Sequence, residues 1–168
     1  AEGVALRRQR REREALARFV RAFALHPTPR AAAQMGLAER SLADWIDAER
    51  HLSLALGSGD PWVEGHREAL EFALASVQKR LGWLHVEVDE SGLELRVDGS
   101  DPVGLPLDEP LRIAAGRHGY AIVEGAAELL RSETMVEPGL VARRSHSVAG
   151  LVRPSQAQAG EPHVVTPQ

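Results

Sequence analysis

The chain has 168 residues, 43% of them hydrophobic and 4% aromatic, with a formal net charge of −4 and no cysteine. That length holds one ordinary domain or two small ones with a real core. Without cysteine there are no disulfides, thiolate zinc sites or cysteine nucleophile; without asparagine there is no N-glycosylation acceptor; and the near-balanced charge does not mark a nucleic-acid binder.

In chain order, residues 4–25 predict a first helix, with Leu16, Phe19, Val20, Phe23 and Ala24 at three-and-four spacing. His26-Pro27-Thr28-Pro29 ends it, because proline lacks a donor and pushes its predecessor out of the helical region. Residues 30–42 predict a second helix and 45–57 a third. Gly57-Ser58-Gly59 then breaks the chain before an N-cap at Asp60 and a proline at the first helical position, Pro61. A long fourth helix follows to about Leu81, through Leu70, Phe72, Ala73, Leu74 and Val77. No apolar run reaches the roughly 18 residues a membrane span needs.

The period changes at Gly82. Leu84, Val86 and Val88 alternate with His85, Glu87 and Asp89, the two-residue period of a half-buried strand. Glu90-Ser91-Gly92 turns the chain, and Leu93, Leu95 and Val97 alternate again up to Asp98-Gly99. Further short strands are expected near 103–107, 110–114, 117–124, 127–136 and 140–148, punctuated by Gly or Pro. Residues 150–168, with three prolines and two glycines, read as an extended, mobile tail.

Charge and aromatic content divide the chain at the same place. Residues 1–82 carry 13 basic and 11 acidic side chains, whereas residues 83–168 carry 7 and 13. Six of the seven aromatics lie at or before Trp83, leaving only Tyr120 beyond. The expected organisation is therefore a helical module over 1–82, an all-β module over 83–149 and a tail over 150–168. Of the 20 basic residues only Lys79 is lysine, which with the abundance of Ala, Gly and Leu points to a GC-rich coding bias. The chain opens on Ala1 rather than Met, as a processed chain or a piece of a longer one does. No charged segment followed by an apolar stretch precedes the first helix.

Within the helical module, Ala15, Phe19 and Ala22 recur 33 residues on as Ala48, Leu52 and Ala55, and Pro27 recurs near Asp60-Pro61. Small residues let helices approach, and the large one fills the gap between them. With Met35-Gly36 ahead of the second set and Trp45 at the turn between helices, residues 13–61 resemble the tetratricopeptide repeat (TPR). Ala32 and Glu39 stand where that family usually has aromatics. The resemblance implies a short α-solenoid that holds a protein or peptide in a groove lined by the first helix of each pair. Packing would use Ala32, Met35, Gly36 and Glu39, so the partner-binding face would carry Arg30, Ala33, Leu37, Arg40 and Ser41. Some members clamp a terminal carboxylate with Asn and Lys; this chain has no Asn and a single distant Lys, so that clamp is ruled out.

In the second half, Gly82-Trp83-Leu84-His85-Val86 opens a strand and Leu95-Arg96-Val97-Asp98-Gly99 leads to a turn. Val103-Gly104-Leu105-Pro106-Leu107 and Ala115-Gly116-Arg117-His118 follow in that order. Over residues 82–148 this order of turns resembles the PEGA family. That resemblance implies a small β-sandwich engaged in envelope or protein contacts without catalysis. A TPR stretch running directly into such a domain is similar to envelope proteins of GC-rich bacteria such as myxobacteria. It implies a periplasmic or cell-envelope location, with any membrane attachment made through a segment outside this chain.

Few residues carry chemistry of their own. The seven histidines contain no H-x-x-x-H or H-E-x-x-H pair, so no helix face presents a zinc site. His85 and His118 fall on expected solvent-facing strand positions. Gly57-Ser58-Gly59-Asp60 lacks the Lys-Ser/Thr of a phosphate loop, and Ser132, Ser145 and Ser147 lack a G-x-S-x-G elbow. Asp89-Glu90 and Asp108-Glu109 read as solvated turn carboxylates. Arg7, Arg8, Arg10, Arg11 and Arg13 spread around the first helix, interrupted by Glu12 and Glu14, and read as a solvated face rather than a nucleic-acid or lipid patch.

The expected protein is thus α+β in two modules, a TPR-type solenoid followed by a PEGA-like sandwich. It would work as a noncatalytic protein-protein or cell-envelope binding adaptor without cofactor, metal or nucleic acid. A cytoplasmic assembly or regulatory module cut from a larger signalling protein is the alternative. A hydrolase with a site near Trp62, Trp83 and Tyr120 is a further one.

Overall fold

A computed structural model describes residues 2–147 and 151 of the chain. Among the described residues, six helices are followed by seven strands arranged in two sheets, a mixed α+β fold. The tail expected over 150–168 lies outside the described residues except for Leu151, which packs half-buried on the β core.

The helix expected over 4–25 is two, α1 (Glu2–Arg8) and α2 (Glu12–Leu25). Arg10 takes a left-handed φ of 59°. Its N–H donates to Arg7 O at 2.9 Å while Arg11 N–H donates back to Leu6 O at 3.0 Å, a Schellman closure. Because Arg rather than Gly occupies that position, the sequence carried no stop signal there. The reversal lays α1 back on α2, with Leu6 and Gly3 against Ala15 and Phe19.

α3 (Pro29–Leu42) starts where Thr28 Oγ1 accepts from Ala31 N–H at 3.2 Å. It ends like α1: Ala43 is left-handed at φ 66°, and Asp44 N–H donates to Glu39 O at 3.0 Å. α4 (Trp45–Leu56) runs back along it. The expected Asp60 cap is present, accepting from Trp62 N–H at 2.8 Å and Val63 N–H at 3.2 Å.

The single helix expected from Pro61 to Leu81 divides into α5 (Pro61–Glu64) and α6 (Arg67–Gln78). The cause is His66. Its Nδ1 lies 2.7 Å from Trp62 O, occupying the carbonyl its own backbone N–H would use in a helix, and that N–H turns to Val63 O instead. The ring also stacks on Trp62 at 4.1 Å between centres.

Consecutive helices pack as neighbours: α1 on α2, α2 on α3, α3 on α4 and α4 on α6. Gly36 permits a close approach of α3 to α4, since a Cβ there would stand 2.7 Å from Leu52 Cγ and 3.1 Å from Ala48 O. Ala48, Leu52 and Ala55 are fully buried, as the repeat requires. In the earlier copy Ala15 and Phe19 are buried but Ala22 is exposed. α1 begins one residue before Gly3, whereas α3 begins seven before Gly36, so α1 does not extend along α2 far enough to cover Ala22.

β1 (Leu81–Val88) is the centre of a sheet ordered β4-β1-β7, with β4 (Leu111–Ala114) antiparallel and β7 (Val141–His146) parallel to it. The second sheet runs β3-β2-β5-β6, from β3 (Val103–Gly104), β2 (Glu94–Val97), β5 (Gly116–Glu124) and β6 (Ala127–Val136), all antiparallel. The strand expected over 103–107 is cut to two residues, though Leu105 is buried and its N–H still donates to Leu93 O at 2.8 Å. Leu84 and Val86 of one sheet share a core with Leu95, Tyr120, Ile122 and Val136 of the other. The boundary expected at 82/83 falls inside β1: Leu81 belongs to the helical core, and Leu84 to the β core. Gly82 sits between them because the turn ahead of β7 crosses over it. A Cβ would meet Glu137 O at 2.5 Å.

The left-handed turn after α3 yields a direct check. An alanine at that φ costs about 1–2 kcal/mol, so Ala43→Gly should raise stability by about 0.5–1 kcal/mol in urea unfolding. A loss of stability would show that the turn is not held left-handed.

Candidate functional site

α3 and α6 run side by side, tied by Arg40 NH1, which donates to Ser76 Oγ at 3.4 Å. Between them lies a depression of ≈ 570 Å³ lined by Leu37, Arg40, Glu68, Ala69 and Phe72. Leu70, Ala73 and Val77 turn α6 into the core, which leaves Phe72 on the opposite face at 74% exposure. An aromatic that open is the informative anomaly on a surface where scattered aliphatics are ordinary.

The sequence-predicted face divides on this frame. Leu37 and Arg40 line the depression. Arg30 is exposed at the start of α3, with its guanidinium 5.0 Å from the Trp62 ring centre. Ser41 is exposed and its hydroxyl donates to Leu37 O at 3.1 Å. Ala33 is a correction: it is fully buried in the helical core and offers no surface. The α6 wall, Glu68, Ala69 and Phe72, was missed. Phe72 was grouped with Leu70 and Ala73, yet at two residues from Leu70 it must point away from the face Leu70 occupies.

On the side of α3 that faces α4, buried Glu39 meets buried His51, with Oε2 and Nδ1 2.7 Å apart. The edge of Phe23 closes over His51 at 6.3 Å between ring centres. Glu39 fills a position where an aromatic was expected, and its polar head finds its partner inside the stack. Burial holds the Glu39 carboxyl above the usual carboxylate range, and the His51 contact offsets this only in part.

The helical and β parts meet at Arg112 of β4. Its guanidinium makes a two-pronged pair with Glu49 of α4, at 2.9 and 2.7 Å, and lies 3.9 Å from the Trp83 ring centre. Trp62 stacks on His66, Trp83 lies under Arg112, and Tyr120 is buried in the β core. Among the described residues no three His, Asp or Glu are placed to hold a metal ion, and no helix is long and apolar enough to cross a membrane.

Two histidines of the β part are structural. His118, expected at the surface, is buried, with Nδ1 2.6 Å from Asp98 Oδ2 and Nε2 2.7 Å from Ala114 O. Asp98 reaches it from the Asp98-Gly99 turn and also accepts from Gly119 N–H at 2.9 Å. His85 is half-buried, 3.5 Å from Glu87. Tyr120 Oη lies 2.8 Å from His146 Nε2, a hydrogen bond that joins β5 to β7, one sheet to the other.

Searches against protein-family models, curated proteins and solved structures return no match to the chain.

The burial of His146 predicts a pH dependence. Burial, followed by Arg144, pushes His146 below the ordinary histidine value of about 6.5. The unfolded chain therefore takes up the proton first, and the contribution is whole above pH ~6.5 and lost as pH falls below it. Stability measured from pH 7.5 to 5.5 should decline less steeply in His146→Gln than in the native chain. Equal slopes would remove His146 from the account.

Proposed function

We propose that the protein is a noncatalytic binding adaptor of the cell envelope or periplasm. In this reading the helices are a short TPR-type solenoid, and the β part is a PEGA-like sandwich. The 33-residue spacing that relates Ala15 and Phe19 to Ala48 and Leu52 also relates Gly3 to Gly36, and both glycines face the large residue of the following helix. Two sheets sharing one apolar core support the sandwich reading. The arginine bias and the order of turns in the β part support the envelope assignment.

The observation that carries the functional reading is the α3–α6 groove. It is lined by apolar Leu37 and Ala69 and by charged Arg40 and Glu68, with exposed Phe72 beside them. An open surface that mixes apolar and charged side chains around an exposed aromatic suits a protein partner better than a small molecule. Arg40 also links the two helices, so the groove is held open by the same residue that offers charge to a ligand.

The test is affinity capture with the native chain and with Arg30→Glu/Arg40→Glu. Loss of the captured protein by about tenfold or more is expected, since a reversed rim charge meets its former partner as a like charge. Unchanged capture would remove the groove as the binding face.

A further inference from the structure

The exposed side of α6 carries Glu68, Phe72, Ala75 and Lys79, spaced four, three and four residues apart. That spacing is the seam of a helix pair, one line of side chains running straight along the helix. Lys79 follows the last helical residue and keeps helical backbone angles, φ −67° and ψ −8°, so the line is unbroken to its end. All four residues are exposed. Glu64 and Glu71 pair with Arg67, whereas Glu68 and Lys79 have no salt-bridge partner among the described residues.

We propose that this face binds a second copy of the chain, α6 against α6, antiparallel about a two-fold axis. The proposal rests on the reading of the α3–α6 face as a protein-binding surface and names its partner. A two-fold axis between Ala73 and Leu74 sets Glu68 of each copy opposite Lys79 of the other and Phe72 opposite Ala75. Two ion pairs flank two identical aromatic-on-alanine contacts, as an isologous interface requires.

Shape agrees with charge. Phe72 stands as a ridge between two depressions, one of ≈ 570 Å³ toward Leu37 and Glu68 and one of ≈ 390 Å³ lined by Ala75, Ser76, Lys79 and Arg80. The antiparallel register places the ridge of each copy in the second depression of the other. A parallel pairing would instead set Glu68 against Glu68 and Lys79 against Lys79, a repulsion at both ends. A lipid or nucleic-acid surface, being of one sign, would repel one of the two charged ends. One 12-residue helix offers less than the roughly 800 Å² per partner of a standard interface, so the dimer is a weak, reversible one.

Sedimentation equilibrium over about 5–500 µM compares the native protein with Glu68→Lys, Lys79→Glu and the double variant. All four positions are exposed, and far-UV circular dichroism checks that each variant keeps its helices. The native chain should dimerise. Each single reversal should weaken the dimer about tenfold or more, and the double reversal should return it to within about threefold of native, because the pairs re-form with signs exchanged.

A native chain that stays monomeric throughout, single variants without effect, or a double variant no better than the singles would each overturn the proposal. A photo-reactive Phe72→benzoylphenylalanine separates this from the underlying reading. An adduct joining two copies supports both. An adduct only with a different protein overturns the second copy and leaves the protein-binding face standing, and no adduct overturns both.

Discussion

The close approach of α3 and α4 at Gly36 is the constraint on which the rest of the helical part depends. A Cβ at that position would stand 3.0 Å from Leu52 N and 3.1 Å from Ala48 O, which are backbone atoms that cannot move aside as a side-chain tip would. With the two helices at this distance, Ala48, Leu52 and Ala55 lose all exposure, and Glu39 comes within reach of His51 across the seam. α4 then presents its other side to Leu70, Ala73 and Val77 of α6. The rotation of α6 about its own axis is thereby fixed, and that rotation is what leaves Phe72 outside.

The same helix carries the fold into its second half. Glu49 of α4 holds Arg112 of β4, and Arg112 covers Trp83 of β1. β1 itself runs from the helical core at Leu81 to the β core at Leu84 with Gly82 in between. A loop connection would let the two parts move independently; a continuous strand, with Ala115 N–H donating to Arg80 O at 2.8 Å, does not. The groove and the sheets are therefore presented in one fixed arrangement. Within the β part, Tyr120 and His146 join the sheets by the one aromatic side chain that region has in its core.

The strands were largely legible because alternation such as Leu84-His85-Val86-Glu87 has no other economical reading, and Gly or Pro marked most of their ends. Proline and aspartate signals likewise placed the starts of α3 and α5. What could not be read was carried by residues acting against their type. Arg10 and Ala43 make left-handed turns that glycine usually signals, and His66 breaks a helix with a side-chain bond that no propensity encodes. Of the candidate groove, Leu37 and Arg40 agree with the face that the repeat resemblance implies. Ala33 departs from it because the resemblance does not tell which edge of the α3 stripe a neighbouring helix covers. The α6 wall depended on the packing of α4 against α6, a contact between segments whose order in sequence was visible but whose relative rotation was not. Alternation puts His118 at the surface because it cannot register Asp98 reaching it from a turn 20 residues earlier.

The measurement that bears most directly on this account is the unfolding free energy of Gly36→Ala. Helix propensity alone favours alanine at an interior helical position by about 1 kcal/mol. The contact with Leu52 and Ala48 makes the same methyl group an overpacked one, at a cost of about 1–3 kcal/mol or more. Chemical denaturation should therefore show a net loss of stability of up to about 2 kcal/mol, with capture through the groove reduced as α6 shifts with α4. A gain in stability would mean that α3 and α4 do not meet at Gly36, and would contradict the packing from which the groove has been built.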